Sequence, residues 1–475
     1  MNKWTEIEKK IEENRAEEID VLRDFIKIPS VVTEPSGDKP FGSKVHDAFM
    51  FMLDMAQRDG FEVLNVDNYG GHIDFRGSDE DAGIMGVAGH VDVVPVGNDW
   101  DVDPFGAEIR DGRIYGRGAL DDKGPTIASY FAMKALKDAG VKPNKTIRLI
   151  LGNDEETNWS GMRYYLGRVE PPDFGITPDS EFPVIHGEKG LLKFYVRKEI
   201  NPENHPGLKL VTLSGGSALN MVADHVVFVL SDSKAENEER LNSTIAEFVK
   251  ETGADVSCDY APRGHIISIS GKAAHGARPE RGVNAIPIAM DLLERLNMKH
   301  TGVSDFVKMF NTYIGYNYYG ENIGIGFSDE QSGKLIFNVG TLEMDSGVIT
   351  LGINIRYPVT VTLEQMLEKI NPILQRYDCT MEIVKHTEPI YIPADDPMIK
   401  TLEDAYRKHT GDYDTPPKVI PGQTYSKLFK KFAAYGMRFS KADDVAHQKN
   451  ESVDIEKLIL TTKIYADAIY RLTVD

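Results

Sequence analysis

Blocks of apolar residues alternate with helix-like segments along the first 180 residues of the chain. Three apolar runs of strand length lie at 84–89, 146–152 and 174–177, and polar or acidic residues follow each run directly. Between the first two runs, apolar positions at helical spacing predict a helix over 126–139, after a Gly-Pro start signal. Strands that alternate with helices are typical of an α/β layer with a mixed, mostly parallel sheet and helices on both faces.

The pattern changes between about residue 187 and residue 384. Strands in this stretch show a stricter polar–apolar alternation, and helices such as 285–296 and 363–377 interleave with them. A chain of 475 residues is also long for a single hydrophobic core. We therefore predict a two-domain protein, in which an inserted α+β domain, 187–384, interrupts a discontinuous α/β domain formed by 1–186 and 385–475.

Amphipathic helices are predicted at both ends of the chain. Residues 1–28 carry apolar side chains near helical spacing and are followed by Pro29, and residues 455–472 show the same spacing. The first segment lacks the apolar core of a signal peptide, and no stretch approaches the ~20 apolar residues of a membrane span. We expect a cytoplasmic protein without a membrane partner.

The amino-acid composition excludes some classes of binding partner and of cysteine chemistry. The formal net charge of −20 argues against nucleic acids and anionic membranes, because both require a basic surface. Cys258 and Cys379 are the only cysteines and lie far apart in sequence, which argues against a disulfide framework and against thiolate metal ligands. A reducing cytoplasm fits both observations.

Histidine and acidic residues follow the ends of the predicted strands. His90 and Asp92 come after the first apolar run, Glu155 and Glu156 after the second, and Asp179 after the third. Ligands of parallel sheets bind outside the carboxyl ends of the strands, so these side chains are expected to lie close together. Asp92 can orient the imidazole of His90, and of two neighbouring carboxylates one can bind a metal while the other takes a proton from water.

Two further groups complete the chemistry of a two-metal site. The neighbouring acids Asp121 and Asp122 lie in a glycine-rich turn and offer a carboxylate able to bridge two ions, and His447 offers a second imidazole. A pair of divalent ions needs a bridging carboxylate, further oxygen ligands, about one imidazole each and a nearby base. Each cluster is a weak signal alone, but all of them together predict a two-metal hydrolytic site.

With these residues in place, the chain resembles the M20 metallopeptidases over nearly its whole length, and within them the PepV-type and carnosinase-like dipeptidases. The segment 68–73 is also similar to the PepV type, and we interpret His72 within it as structural. The resemblance implies hydrolysis of dipeptides with two divalent ions, zinc being the first choice and manganese or cobalt the alternatives. The motifs that carry it lie at 89–95, 116–125, 154–156, 177–183 and 447–451.

The resemblance also implies which residues bind the metals. The bridging ligand of the family lies two residues before a lysine, which selects Asp121 rather than Asp122 because the lysine is Lys123. The peptide bond after this aspartate is often cis in the family. The implied ligands are the bridging Asp121, His90 and Asp179 for one ion, and Glu156 and His447 for the other.

The other implied roles concern proton transfer and substrate binding. Glu155 is similar to the family's general base, and Asp92 to the carboxylate that orients the metal-bound histidine. In the inserted domain, His275 lies in a segment similar to the family's lid motif, whose histidine stabilises the tetrahedral oxyanion. Asn220 and Arg356 match groups that hold the C-terminal carboxylate of a small peptide substrate, for which an arginine fork is well suited. The large inserted domain is similar to that of PepV-type enzymes and implies a monomer.

The chain departs from the family pattern in the loop 421–424, where relatives usually carry a glycine-rich segment, and again at 438–440. These loops help to hold the substrate in the family, so the substrate preference stays open. An M20 deacylase of N-acyl amino acids or of a diaminopimelate derivative would use the same metals and base. A non-catalytic binding protein on the same fold and a two-metal phosphatase are further alternatives, of which Arg356 and the lid motif disfavour the phosphatase.

Overall fold

A computed structural model describes residues 3–201, 208–231, 235–262, 264–298, 300–440 and 443–474. The chain divides into two compact units, of which the first comprises Met1–Gly187 and Tyr391–Asp475 and the second comprises Glu188–Ile390. The sequence prediction placed the return to the first domain at 385. The chain returns later in the structure, because the strand Thr380–Thr387 stays paired with a strand of the second unit.

Helices and strands account for most of the described chain. The helices, in chain order, are α1 (Lys3–Ile26), α2 (Ser43–Arg58), α3 (Lys123–Asp138), α4 (Ser160–Leu166), α5 (Ala235–Thr252), α6 (Ala285–Arg295), α7 (Thr301–Tyr313), α8 (Leu363–Arg376), α9 (Pro397–Thr410) and α10 (Ile455–Val474). The strands are β1 (Glu62–Val66), β2 (Gly70–Phe75), β3 (Ile84–His90), β4 (Glu108–Arg110), β5 (Arg113–Tyr115), β6 (Thr146–Gly152), β7 (Phe174–Thr177), β8 (Ile185–Glu188), β9 (Gly190–Glu199), β10 (Lys209–Gly215), β11 (His225–Ser231), β12 (Asp255–Ala261), β13 (Gly264–Ser270), β14 (Ser328–Asp329), β15 (Gly333–Lys334), β16 (Ile336–Asp345), β17 (Val348–Tyr357), β18 (Thr380–Thr387), β19 (Ile390–Tyr391), β20 (Lys418–Ile420), β21 (Phe432–Ala434) and β22 (Ser452–Asp454).

The main sheet is mixed, as the sequence predicts. Its strands follow the order β1-β2-β6-β3-β7-β21-β8-β19, with β20 beside β8. The central strands β6, β3, β7 and β21 pair in parallel, whereas β1, β2 and β8 join antiparallel towards the two edges. Because the central strands are parallel, their carboxyl ends lie at the same edge of the sheet. The three apolar runs of the sequence are β3, β6 and β7, so they lie next to one another.

The strand β6 is buried on both faces, which explains its continuous apolar sequence. Leu149 and Leu151 belong to a core formed with apolar side chains of α1, α2, α3, α9 and α10. Ile150 faces the other way, into a smaller core with Tyr165 of α4 and Phe432 of β21. The sheet therefore has apolar cores on both faces. Within the described ranges, no helix is both long and apolar enough to cross a bilayer.

The helix α3 begins at Lys123, slightly earlier than the sequence predicts. Pro125 then lies in its first turn, where its fixed φ and missing N–H are tolerated. This start matters for the site. Asp122 is the N-cap residue of the helix, and Asp121 is the residue before the N-cap.

The second unit is built on an antiparallel sheet in the order β12-β13-β11-β10-β16-β17-β9-β18. Alternate residues of β17, such as Ile353 and Ile355, join an apolar core with residues of α5, α6, α7 and α8. The residues between them, Asn354 and Arg356, occupy the opposite face of the strand. This arrangement matches the α+β character predicted for the inserted region.

A buried carboxyl joins the two terminal helices and is expected to make stability depend on pH. Glu18 of α1 is fully buried and accepts a hydrogen bond of 2.5 Å from Oγ1 of Thr462 in α10. Burial raises its pKa to about 8, although Thr462 and the positive charge of Arg15 oppose the shift. Between its unfolded pKa of ~4.3 and this value, Glu18 is protonated in the folded protein and ionised in the unfolded chain. Unfolding then releases a proton, so the free energy of unfolding falls as pH rises through this interval.

We expect Glu18→Gln to raise the free energy of unfolding at pH 8.5 by more than ~1 kcal/mol, because each pKa unit corresponds to ~1.4 kcal/mol. Urea unfolding at pH 5.5, 7 and 8.5 measures the effect, and the gain should grow from the first pH to the last. Glu17→Gln, which changes the exposed neighbouring acid, is the control and should leave the pH dependence unchanged. Equal gains at all three pH values would contradict the prediction.

Candidate metal centre

The ends of the parallel strands bring three of the predicted metal ligands, His90, Glu156 and Asp179, to one edge of the main sheet. His90 is the last residue of β3, and Glu155 and Glu156 follow the end of β6 by a few residues. Asp179 lies just beyond the end of β7. These strands are parallel neighbours, so their carboxyl ends open on the same side. These side chains therefore lie close together because β6, β3 and β7 are neighbouring parallel strands.

The carboxylate of Asp121 faces two imidazoles. Its Oδ1 lies 3.3 Å from Nε2 of His90, and its Oδ2 lies 3.1 Å from Nε2 of His447. The same nitrogen of His447 lies 2.9 Å from Oε1 of Glu156. One carboxylate with a different imidazole at each oxygen is the arrangement that a bridging ligand between two ions requires.

Two overlapping groups of donor atoms have the compactness of metal sites. The donor atoms of His90, Asp121 and Glu156 lie within 4.8 Å of one another, and so do those of His90, Glu155 and Asp179. All five predicted ligands thus lie together in the first unit. Glu155, which the resemblance makes the base, offers a carboxylate oxygen within 4.8 Å of donor atoms of His90 and Asp179.

The site gathers more buried charge than its own hydrogen bonds satisfy. Within the described structure, Nε2 of His90 and Oδ1 of Asp121 are buried and face each other at 3.3 Å, but neither atom forms a hydrogen bond. Burial, followed by the negative charge of Asp121, raises the pKa of Asp179 to about 7. Burial, followed by the charge of Asp179, raises the pKa of Glu155 well above its ordinary value. Unsatisfied donor atoms among crowded carboxyls fit divalent cations, which would neutralise the carboxylates and accept the lone pairs.

Asp92 holds both the histidine and the acidic pair in place. Its carboxylate oxygens accept hydrogen bonds from the backbone N–H groups of Glu155, at 3.0 Å, and Glu156, at 3.1 Å. Nδ1 of His90 lies 3.0 Å from the carbonyl oxygen of Asp92 and 3.3 Å from its Oδ1. The oxygen partners fix Nδ1 as the protonated nitrogen and leave Nε2 to face the site.

The turn that carries Asp121 separates the two neighbouring aspartates. The peptide bond between Asp121 and Asp122 is cis, as the resemblance implied. Oδ2 of Asp122 accepts hydrogen bonds from the backbone N–H of His90, at 3.1 Å, and from Oγ1 of Thr126, at 2.9 Å. Asp122 therefore stabilises the backbone beneath the site, and Asp121 faces the imidazoles.

The predicted substrate residues lie together in the second unit. Met221 and His275 form an antiparallel bridge, and the N–H of Gly276 donates to the carbonyl oxygen of Asn220 at 2.7 Å. Burial, followed by the positive charge of Arg356, lowers the pKa of His275. Asn220, His275 and Arg356 thus lie near one another within this unit.

His72 has the structural role that the sequence suggested. Its Nδ1 lies 2.7 Å from the hydroxyl of Tyr165, and its Nε2 lies 3.6 Å from Oδ2 of Asp74. Asp74 in turn accepts two hydrogen bonds from Arg148, at 2.8 and 2.9 Å. Burial lowers the pKa of His72 to about 4, so the ring is neutral within a satisfied polar cluster.

Sequence reasoning did not assign a role to Tyr425, Arg117 or Glu451, which lie against the site. The ring of Tyr425 stands almost perpendicular to the imidazole of His90, with centroids 6.4 Å apart. Arg117 and Glu451 form a buried ion pair behind Asp121. The motif segments 116–125 and 447–451 contained the last two residues, but their spacing in sequence gives no sign that they meet.

The amino-acid sequence is similar to those of known peptidases. Residues 86–471 match the sequence profile described as "Peptidase family M20/M25/M40". The chain belongs to this family. Two curated relatives in the genus Staphylococcus bear the name putative dipeptidase. The S. haemolyticus protein is 36% identical over 485 residues, covering 99% of this chain and 100% of its own. The S. saprophyticus protein is 35% identical over 461 residues, covering 96% of each chain.

Solved structures of this M20 chain's relatives share its fold. Human carnosine dipeptidase 1 superimposes with a TM-score of 0.53 at 16% identity, covering 98% of each chain. Aminoacylhistidine dipeptidase from Vibrio alginolyticus superimposes with a TM-score of 0.56 at 15% identity, covering 96% of each chain. At these identities the similarity shows the common two-domain α/β fold of an M20 peptidase.

Proposed function

We propose that this M20 peptidase is a dipeptidase that hydrolyses its substrate at a pair of divalent metal ions. The observation that carries the proposal is the placement of Asp121, whose two oxygens face His90 and His447 separately. The names of the curated relatives, which cover nearly the whole chain, support a dipeptide as the substrate. Zinc is our first choice of metal and manganese or cobalt the alternatives, because the donors are a mixture of imidazoles and carboxylates.

Two ions would be held by five residues. Asp121 would serve both ions, His90 and Asp179 would bind one of them, and Glu156 and His447 would bind the other. When bound, the ions would supply a Lewis acid and lower the pKa of a water molecule. Asp92 keeps Nε2 of His90 directed at the site through the contacts at Nδ1.

Glu155 is the proposed general base. Its backbone N–H is held at 3.0 Å by Oδ1 of Asp92, and its side chain lies near the donor atoms of His90 and Asp179. From this position the carboxylate takes a proton from the attacking water and then passes it to the leaving amine nitrogen. The attack forms the C–O bond, and the collapse of the tetrahedral intermediate breaks the C–N bond.

The second unit contributes the proposed substrate-binding residues. Burial lowers the pKa of Arg356 only to about 10, against the opposing negative charge of Glu188, so its guanidinium stays charged near neutral pH. We propose that Arg356 and Asn220 bind the C-terminal carboxylate of the dipeptide and that His275 stabilises the oxyanion. The burial that lowers the pKa of His275 is consistent with an uncharged imidazole as hydrogen-bond donor. We also propose that the protein acts as a monomer in the cytoplasm.

A substrate screen tests the proposal against its rivals. The protein is stripped of metal, reloaded separately with Zn²⁺, Mn²⁺ or Co²⁺, and offered dipeptides, a tripeptide, β-Ala-His, dipeptide amides and N-acetyl amino acids. We expect the protein to hydrolyse free dipeptides only when metal is present. We expect no hydrolysis of the dipeptide amides. Preferential turnover of N-acetyl amino acids would make the protein a deacylase, and silence on all substrates would favour a binding protein.

A further inference from the structure

The strongest unassigned feature near the site is the buried ion pair of Arg117 and Glu451. Arg117 is 1% exposed and Glu451 is 0% exposed, and Nη1 of the arginine donates to Oε2 of the carboxylate at 2.5 Å. Neither residue lies among the proposed ligands or the proposed base. A buried pair is weak evidence of stabilisation by itself, because desolvation of both charges offsets their attraction. Its presence behind a metal centre therefore needs another explanation.

Glu451 holds the backbone that carries the bridging aspartate. Its Oε1 accepts hydrogen bonds from the N–H groups of Gly118, at 3.1 Å, Leu120, at 2.9 Å, and Asp121, at 3.1 Å. Three backbone donors that converge on one oxygen fix the course of this turn up to Asp121 itself. An apolar side chain at 451 would leave these three donors buried and unsatisfied.

Arg117 connects the same turn with two other segments. Nη1 also donates to the carbonyl oxygen of Gln448 at 3.2 Å, next to His447. Nη2 donates to the carbonyl oxygens of Pro95 and Val96 at 3.4 Å each, in the segment that follows Asp92. The guanidinium lies against Trp100, with Cζ 5.2 Å from the ring centroid. Arg117, which itself belongs to the turn before Asp121, thus contacts the loop of His447 and the segment that continues from the strand ending at His90.

The neighbouring contacts reinforce this connection. Ser452 of β22 pairs with Tyr115 of β5, and the N–H of Gly116 donates to the carbonyl oxygen of Glu451 at 2.9 Å. The side chain of Asn450 makes two hydrogen bonds with Asp101. Its Oδ1 accepts from the backbone N–H of Asp101 at 2.9 Å, and its Nδ2 donates to the carboxylate of Asp101 at 2.7 Å. These contacts attach the segment after His447 to Asp101 and Gly116, close to the ion pair.

We propose that Arg117 and Glu451 are positioning residues that set the separation of the metal ligands, by fixing three ligand-bearing segments to one another. His90 lies on one segment, Asp121 on the second and His447 on the third. The inference rests on the proposed metal ligands. Because the ligands come from distant parts of the chain, their spacing depends on contacts of this kind and not on any single element.

Metal affinity and geometry, measured on the full chain, test this proposal. Glu451→Gln and Arg117→Met are titrated with Zn²⁺ against a chromophoric chelator, and the Co²⁺-loaded proteins are compared by their d–d absorption. We expect each variant to bind at least one ion ~10–100-fold more weakly and to show a changed Co²⁺ spectrum, as for other groups that orient ligands. The double variant should lose little more than either single variant, because both residues act as one unit.

Asp74→Asn is the matched control. It removes a carboxylate from another buried ion pair of the same unit, in which Arg148 donates two hydrogen bonds to Asp74. We expect it to lower thermal stability as much as Glu451→Gln while leaving the Zn²⁺ affinity and the Co²⁺ spectrum as in the wild type. If Glu451→Gln does not fold, Arg117→Lys replaces it, since a lysine keeps the charge but cannot reach all of the acceptors of the fork.

The outcomes separate this inference from the proposed function. Unchanged Zn²⁺ affinities and an unchanged Co²⁺ spectrum in folded Arg117 and Glu451 variants would overturn the positioning role, whatever the turnover of the wild type. A wild type that binds two ions without hydrolysing dipeptides would overturn only the proposed function. A wild type that binds no divalent ion would overturn both.

Discussion

Glu155→Gln is expected to lower kcat for a dipeptide by ~10²–10⁴-fold while the protein keeps both metal ions. The amide has nearly the same shape as the carboxyl but cannot take the proton of the attacking water, and general-base catalysis contributes a factor of this size. The backbone N–H of residue 155 still reaches Oδ1 of Asp92. Steady-state kinetics of the metal-loaded protein give kcat, and elemental analysis gives the metal content.

The neighbouring Asp154 provides a control for this change. Its carboxylate accepts hydrogen bonds from the N–H groups of Ser160, at 2.6 Å, and Gly161, at 3.0 Å, at the start of α4. Asp154→Asn should therefore lower stability more than turnover. If Glu155→Gln kept kcat within tenfold of the wild type with both ions bound, another group would have to be the base. If it lost an ion, Glu155 would be a ligand.

Asp121→Asn is expected to reduce the metal content from two ions to one or fewer, and to lower kcat/KM by on the order of 10³-fold. The two oxygens of Asp121 face different imidazoles, and an asparagine replaces one of them with an amide nitrogen that cannot bind a cation. Loss of an ion removes several kcal/mol of charge stabilisation, and ~1.4 kcal/mol corresponds to a tenfold change in rate. Metal analysis after dialysis and kinetics with a dipeptide measure both effects.

Asp122→Asn is the matched control, because it makes the same chemical change one residue further along the chain. Its carboxylate contacts the N–H of His90 and Oγ1 of Thr126 instead of the imidazoles. The variant should keep two ions and show its main effect in thermal stability. Two ions retained by Asp121→Asn, or a greater loss of metal from Asp122→Asn, would reverse the assignment of the bridging residue.

The sequence predicted the parts of the site that depend on local order. His90, Glu155 and Asp179 each follow an apolar run, and the runs are adjacent parallel strands in the structure. A continuous apolar run indicates a strand buried on both faces, and polar residues directly after it mark the carboxyl end. Apolar pattern and candidate ligands were therefore enough to predict the sheet and the edge at which the ligands meet.

The contacts that hold the ligands in place could not be predicted in the same way. Glu451 reaches back across more than 300 positions to the N–H of Asp121, and its motif gives no sign of that partner. Tyr425 directly follows the loop 421–424, which departs from the family pattern, and its ring lies against the imidazole of His90. The choice of Asp121 over Asp122 came from the resemblance, whereas the structure gives it a geometric basis.

By itself, the sequence determined the mixed α/β sheet, the existence of an inserted α+β region and the set of residues able to bind metal. These follow from the period and length of apolar runs and from side-chain chemistry, which are local properties of the chain. Only the tertiary structure decided which oxygen of Asp121 faces which imidazole, and which buried pair fixes the loops. Those depend on long-range packing, where segments distant in sequence meet to satisfy buried polar groups, and no local pattern specifies such a partner.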